Sequence, residues 1–490
     1  MNLKVLKSGT DIRGIGDTAQ SDNPLFLSDE SIKSLTDSYC RWLSKKVNKN
    51  ICDLKISVGH DSRLSAERIK NSVLTVLSAN SVDALDCGLS STPAMFMTTV
   101  LIGCDGAVQI TASHHPSDRN GLKFFTRDGG LESSDISDII DDAVEFNKTS
   151  EIKATKTDFM AQYSEHLRNV IIDGINKGNK PLQGMKIVVD AGNGAGGFYA
   201  YDVLEKLGAD ISGSQFLEPD GSFPNHIPNP ENNEAMSSVC KAVIDSKADF
   251  GVIFDTDVDR AACVDKFGNP INKDRLIALV SAILLKEKTG TIVTDSVTTM
   301  GLTDFIENHL NSKHFRYKRG YKNVIGKQIE LCNNGEFCPL AIETSGHAAL
   351  AENYFLDDGA YLITKIIVEM SKLASEGKTF DDLLKNLKEP EETREIRMKL
   401  LTDDFKNYGE NFINYLIKNK SDAWTQEQKN FEGMRFYTEN GCFTIRLSVH
   451  DPVLIINFES DEIGGIDITL ADIIVHLKKF DKIDLSEIKK

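Results

Sequence analysis

The chain has 490 residues, with 56 Lys and Arg against 73 Asp and Glu and a formal net charge of −17. That length exceeds a single hydrophobic core and implies roughly three or four domains. So acidic a chain, without a basic block, argues against nucleic acid and other polyanions as partners, and any phosphate site has to be made locally by a few Arg and Lys.

From the N-terminus, residues 1–8 lack the long apolar stretch of a secretory signal, and the best apolar run, Leu276 to Leu285, is too short to span a bilayer. The nine cysteines are scattered and include no Cys-x-x-Cys pair. A reduced, cytoplasmic chain with no membrane segment is therefore expected.

Three times the sequence runs from a β-branched apolar strand through a polar or Gly-rich loop into an amphipathic helix. The first copy is Lys55 to Arg63, followed by a helix with Ile69, Val73 and Leu77 at helical spacing and Ser65 as its expected N-cap. The second runs from Met185 to Gly197 and into a helix around Val203 and Leu207; the third runs from Gly290 to Ser296 and into a helix around Leu302 to Ile306. This alternation predicts three similar α/β domains with mostly parallel or mixed sheets. After a charged linker, Lys388-Glu389-Pro390-Glu391-Glu392, the order changes. A helix near Asp403 to Ile417 precedes a hairpin turning at Asn440-Gly441 between Met434–Tyr437 and Cys442–Leu447, then a strand Leu454 to Phe458 and a helix near Leu470 to Phe480. A C-terminal α+β domain is predicted there. The expected boundaries are 1–155, 156–265, 266–388 and 389–490.

Four loops carry chemistry. In Thr111-Ala112-Ser113-His114-His115-Pro116 an apolar strand ends in a hydroxyl on a tight loop. Ser113 is a candidate nucleophile, although a turn hydroxyl is the commoner use of such a Ser. His114 can hydrogen-bond a phosphate on Ser113, and Lys123 is near enough in sequence to serve as a cation or proton carrier. Asp255, Asp257 and Asp259 alternate after the strand Phe250 to Phe254 and can wrap one ion. Hard carboxylate oxygens favour Mg²⁺, with a phosphate on Ser113 as a further ligand, and the missing Gly and Glu exclude an EF-hand. Arg260, next in sequence, can grip the same phosphate.

Glu343, Ser345 and His347 bring a carboxylate, a hydroxyl and an imidazole into a loop, suited to sugar hydroxyls or simply to a polar turn. Arg446, Ser448 and His450 offer a grip for phosphate.

Taken together and in order, these loops resemble the α-D-phosphohexomutases, the superfamily of phosphoglucomutase and phosphomannomutase. The resemblance covers nearly the whole chain. It rests on Ser8-Gly9-Thr10-Asp11-Ile12-Arg13-Gly14, the loops at 111–116, 255–260 and 343–347, and Arg446-Leu447-Ser448. Lesser matches are Gly59 to Arg63, Ser91-Thr92-Pro93 and Gly320-Tyr321-Lys322.

The resemblance implies a heart-shaped enzyme with a central cleft that interconverts hexose 1- and 6-phosphates, with glucose the leading sugar and mannose possible. Phosphorylated Ser113 would donate its phosphoryl group and recover one from the other end of a hexose 1,6-bisphosphate, which also serves as activator. Lys123 and Arg13 match the proton-transfer and positioning residues, with His347 a second acid/base candidate. Glu343 and Ser345 would bind sugar hydroxyls, and Arg446 and Ser448 the non-transferring phosphate. Thr344 disfavours a glucosamine substrate.

The C-terminal loop departs from the pattern at Leu447, Val449, His450 and Asp451, where His450 would replace a Thr donor. His115, Thr256 and Val258 are milder departures. A phosphosugar partner and a monomer or weak homodimer are expected. The alternatives are a non-catalytic phosphosugar-binding or regulatory protein and a phosphoserine-dependent sugar phosphatase.

Overall fold

The computed structural model describes residues 2–448 and 451–489. Two compact units form, one from Met1–Asn272 with Ser345–Phe380, the other from Lys273–Thr344 with Asp381–Lys490.

In the first unit a mixed sheet runs in the order Lys7–Ser8, Asp11–Ile15, Arg119–Thr126, Gly106–Ile110, Lys55–His60, Asp83–Leu89, Ala154–Lys156. Its centre is parallel and its Arg119–Thr126 side antiparallel. Every residue of Gly106–Ile110 is buried, as a strand covered on both faces requires. Ile32, Leu35, Tyr39, Ile69, Val73 and Leu77 pack from the helices onto Ile56, Val58 and Val108.

Ser65 stands at the expected N-cap position of the helix Ala66–Ala79, but its side chain makes no capping bond. Its backbone is already helical at φ −82° and ψ −2°, and its hydroxyl instead accepts a hydrogen bond from Asn120 Nδ2 at 2.9 Å.

A second sheet in this unit orders Pro270–Ile271, Ala261–Asp265, Phe250–Phe254 and Ile187–Asp190, with only the last pair parallel. The helix expected around Val203 is a π-helical turn at Tyr199–Leu204. A short antiparallel pair joins Ala348–Leu350 to Leu356–Asp357.

In the second unit Thr291–Thr294 lies parallel between Lys313–Arg316 and Leu340–Ile342. The predicted helix there is α-helical only over Met300–Asp304 and continues as a π turn over Phe305–His309.

The C-terminal sheet is antiparallel, in the order Glu392–Lys399, Val453–Ser460, Gly441–Leu447, Met434–Thr438, Thr425–Gln426. Thr438 pairs Gly441 across the predicted turn. The linker expected through Glu392 gives way to an eight-residue strand that starts at that residue. Only Ile396 and Met398 are buried along it, so charged neighbours mask the alternation. Among the described residues no helix is long and apolar enough to cross a membrane.

Candidate active site

Ser113 follows the buried strand Gly106–Ile110 with φ +50°, a left-handed conformation uncommon for a residue with a Cβ. The loop is over-determined by its contacts. Ser113 N–H donates to Thr111 Oγ1 at 2.9 Å, and Thr111 donates to Asp61 Oδ2 at 2.6 Å. The buried Arg63 guanidinium donates to the carbonyls of Ser113, His115, Pro116 and Arg119 at 2.5, 2.6, 2.6 and 2.8 Å, and its Nε pairs with Asp61 Oδ2 at 3.2 Å. One cation thus gathers the loop's carbonyls and leaves its hydroxyl directed elsewhere.

That hydroxyl donates to Asp255 Oδ2 at 2.9 Å, with His114 Nδ1 at 3.4 Å. Burial, followed by the positive charges of Arg260 and His115, pushes the His114 imidazole down to about 2, so it is neutral at pH 7.

Asp255, Asp257 and Asp259 are buried, and one carboxylate oxygen from each lies within 4.8 Å of the others. Lys123 Nζ donates to Asp257 Oδ2 at 3.0 Å and Asp259 Oδ2 at 2.5 Å. Oδ1 of both Asp257 and Asp259 is buried with no hydrogen-bond partner among the described residues.

Burial raises Asp255 well above the ordinary carboxyl range, and the charges of Asp259 and Asp257 add to it. Burial also acts to raise Asp259, but Lys123, His347 and Arg260 outweigh it and hold that carboxyl low. Clustered carboxylates with orphaned oxygens and a single ammonium are a donor set that fits a hard divalent cation.

Backbone contacts fix the acidic loop. Thr92 N–H donates to Asp257 O at 2.8 Å and its hydroxyl to Asp257 Oδ2; Ala195 N–H donates to Thr256 O at 2.8 Å. A Cβ on Gly194 would sit 2.6 Å from Thr256 O, so only glycine allows this approach. Val258, at φ +68°, is β-branched in a left-handed conformation, a strain the surroundings sustain.

Arg260 Nε donates to His347 Nε2 at 2.8 Å, while His347 Nδ1 lies 2.5 Å from Asp357 Oδ2. These partners set the Nδ1–H tautomer and engage both ring nitrogens.

Ser113, His114, Asp255, Arg260 and His347 form one hydrogen-bonded group and Lys123, Asp257 and Asp259 another, and the two meet where His347 Nδ1 lies 3.9 Å from Asp259 Oδ1. Arg13 and Ser345 belong to the same unit. Arg13 Nη2 pairs with Asp11 at 2.8 Å, and Ser345 Oγ is buried without a hydrogen-bond partner among the described residues.

In the second unit, Glu343 Oε1 accepts the Gly320 N–H at 2.6 Å, and Thr344 Oγ1 donates to Asp295 Oδ2 at 2.9 Å. Arg446 is buried in the strand Gly441–Leu447, and Ser448 follows it. His450 lies outside the described residues.

Arg63, Asp61, Thr92, Asp357 and Asp295 were not singled out as site residues by the sequence. The only signals for Arg63 and Thr92 were the short matches around them, and Asp357 carried none.

Comparison with known proteins supplies the family. Models described as phosphoglucomutase/phosphomannomutase, alpha/beta/alpha domains I, II and III, match residues 6–151, 161–268 and 272–390. A phosphomannomutase/phosphoglucomutase of Pseudomonas syringae pv. tomato is 30% identical over 411 residues, covering 83% of each chain. A phosphoglucomutase of Neisseria gonorrhoeae is 27% identical over 445 residues, covering 89% of this chain and 92% of its own. Among solved structures, a phosphoglucomutase/phosphomannomutase family protein of Burkholderia thailandensis superposes with a TM-score of 0.80 at 25% identity, over 98% of both chains. The chain accordingly belongs to the phosphoglucomutase/phosphomannomutase family of the α-D-phosphohexomutase superfamily and is an isomerase of the phosphohexomutase type.

Proposed function

We propose that this phosphohexomutase interconverts the 1- and 6-phosphates of glucose, with mannose as a second substrate, using Mg²⁺ and a hexose 1,6-bisphosphate activator. The observation that carries the reading is the Ser113 hydroxyl, held at 2.9 Å from Asp255 beside the acidic cluster and Lys123. Asp255, Asp257, Asp259 and a phosphate on Ser113 would hold Mg²⁺, which when bound supplies positive charge against the transferring phosphoryl oxygens.

The remaining work falls to side chains of the chain. Phosphoryl transfer breaks the bond from phosphorus to Ser113 Oγ and forms one to a sugar hydroxyl oxygen, and the second transfer reverses this at the other end of the bisphosphate. Asp255 accepts the proton of the free Ser113 hydroxyl, and Lys123 carries a proton to or from the sugar oxygen. Arg260 grips the transferring phosphate, with His347 and Asp357 fixing its plane. Glu343 and Ser345 hold sugar hydroxyls, Arg446 and Ser448 hold the other phosphate, and Arg13 positions the reacting groups. The reading keeps four domains, 1–155, 156–265, 266–388 and 389–490.

The test is incubation with Mg²⁺, a trace of glucose 1,6-bisphosphate and either glucose 1-phosphate or mannose 1-phosphate, followed by phosphorus NMR. Formation of the 6-phosphate without free phosphate supports the mutase, and the relative rates set the sugar. Stoichiometric free phosphate would convert the reading to a sugar phosphatase. No product from either sugar, with Ser113 shown by mass to be phosphorylated, would overturn this choice of sugars.

A further inference from the structure

In the second unit, separate loops bring ionisable groups together. Asp295, buried at the end of the strand Thr291–Thr294, accepts the Thr344 hydroxyl on Oδ2 and pairs through the same oxygen with Arg319 Nε at 3.3 Å. The Arg319 backbone N–H donates to Glu432 Oε2 at 3.0 Å, and that oxygen also accepts the Ser296 hydroxyl at 2.6 Å. The next residue, Gly433, lies flat on Arg446: a Cβ there would come within 2.8 Å of Arg446 Cβ and 2.9 Å of its Cα. Glu432-Gly433 thus links the two arginines, bonded to one and packed on the other.

Arg446 is only 4% exposed, and its Nε is buried with no hydrogen-bond partner among the described residues. That Nε–H is a buried donor without an acceptor, a condition an added phosphate oxygen would relieve. Burial, and after it the positive charge of Arg319, lowers its pKa against the opposing charges of Glu432, Glu395 and Asp295. Arg319 and Arg446 lie near enough for their charges to oppose each other, and a phosphate between them would take charge-assisted bonds from both guanidiniums.

We propose that Arg319 is a second residue gripping the non-transferring phosphate alongside Arg446, and that Asp295 is the positioning residue that aims its guanidinium. The inference rests on the reading of Arg446 as a phosphate ligand. It competes with a simpler role, in which Arg319 does no more than neutralise buried Asp295.

The experiment compares wild type with Arg319→Gln, Asp295→Asn and the double variant in the full chain. It records KM and kcat for the hexose 1-phosphate that wild type turns over, and the Kd for inorganic phosphate by calorimetry. Arg319→Gln is expected to raise KM and the phosphate Kd about tenfold, roughly the loss of one charge-assisted contact, with kcat changed less than about threefold. The double variant should stay as weak as Arg319→Gln.

Recovery of wild-type KM and Kd in the double variant would overturn the proposal in favour of simple neutralisation. Unchanged values in folded Arg319→Gln would overturn it as well. If Arg319→Gln alone proves unfolded by thermal scan, the double variant, which lacks both charges, carries the same decision. Absence of turnover with every hexose phosphate would strike at the mutase reading, while the phosphate titration still decides the role of Arg319.

Discussion

The serine loop and the end of the strand carrying Arg446 illustrate two ways of holding a functional side chain. In the first, a fully buried guanidinium binds the carbonyls of Ser113, His115, Pro116 and Arg119, and a strained left-handed serine is the result. In the second, among the described residues, the Ser448 N–H donates to Val453 O at 2.9 Å and its hydroxyl accepts from Asp451 N–H at 3.3 Å. The contrast fits a division of labour: a transferring oxygen must be placed to a fraction of an ångström, whereas a phosphate grip has to accept more than one sugar orientation.

The sharpest way to break this contrast is at the transferring oxygen. Ser113→Ala should lower kcat by about 10⁴-fold or more, the scale of losing a nucleophile, with Tm lowered by no more than a few degrees, since it removes the one hydroxyl bond to Asp255 and leaves the apolar core intact. Retained turnover would show that the serine loop is held for some other purpose.

Arg63→Ala should act on the same loop through its frame. It removes one partner of a buried pair and strands both Asp61 and the loop carbonyls, so a loss of about 3–5 kcal/mol is expected by chemical denaturation. Arg63→Ala with Asp61→Asn should recover part of it. A loss below about 1 kcal/mol would mean that the loop holds itself, and the contrast with the Arg446 strand would dissolve.

Lys123→Met should lower kcat by about 10²–10³-fold, within the range for general acid–base groups. It also leaves three buried Asp without their ammonium, so the variant should bind Mg²⁺ more tightly than wild type, a change calorimetry would detect. Weaker Mg²⁺ binding would show that Lys123 organises the acidic loop rather than competing with the cation for it.

Much of this was legible in the sequence because the reacting groups stand in short runs that follow apolar strands. Ser113 after Gly106–Ile110 and the Asp255–Asp259 alternation after Phe250–Phe254 announce both the strand and the loop. What escaped was non-local. Arg63 reaches carbonyls some 50 residues onward, Thr92 reaches Asp257, and Asp357 reaches His347, and none of these pairings has a local pattern. The strand Glu392–Lys399 escaped because its charged outward residues read as a linker, and the π turns because their apolar spacing is close to that of an α-helix.

A pH experiment in the second unit extends the comparison to its interior. Asp274, in the first turn of the helix Lys273–Leu284, accepts the Thr299 N–H at 2.9 Å and the Thr299 hydroxyl at 3.1 Å on one oxygen. Burial lifts its pKa to about 6, with the charges of Asp295 and Glu459 adding to the rise and the Thr299 bonds opposing it. In the unfolded chain the same carboxyl titrates near 4. Between these values the folded state holds the extra proton, so its stabilising contribution is complete below about pH 4 and is lost as pH rises through about 6. Asp274→Asn keeps an acceptor for both Thr299 bonds and cannot ionise. The variant should therefore be more stable than wild type at pH 7–8, by on the order of 1–3 kcal/mol, and the gap should close as pH falls toward 4. A gap that is constant with pH would show that Asp274 ionises as easily in the fold as outside it, and that the acidic interior of the second unit is open to water where the serine loop's surroundings are not.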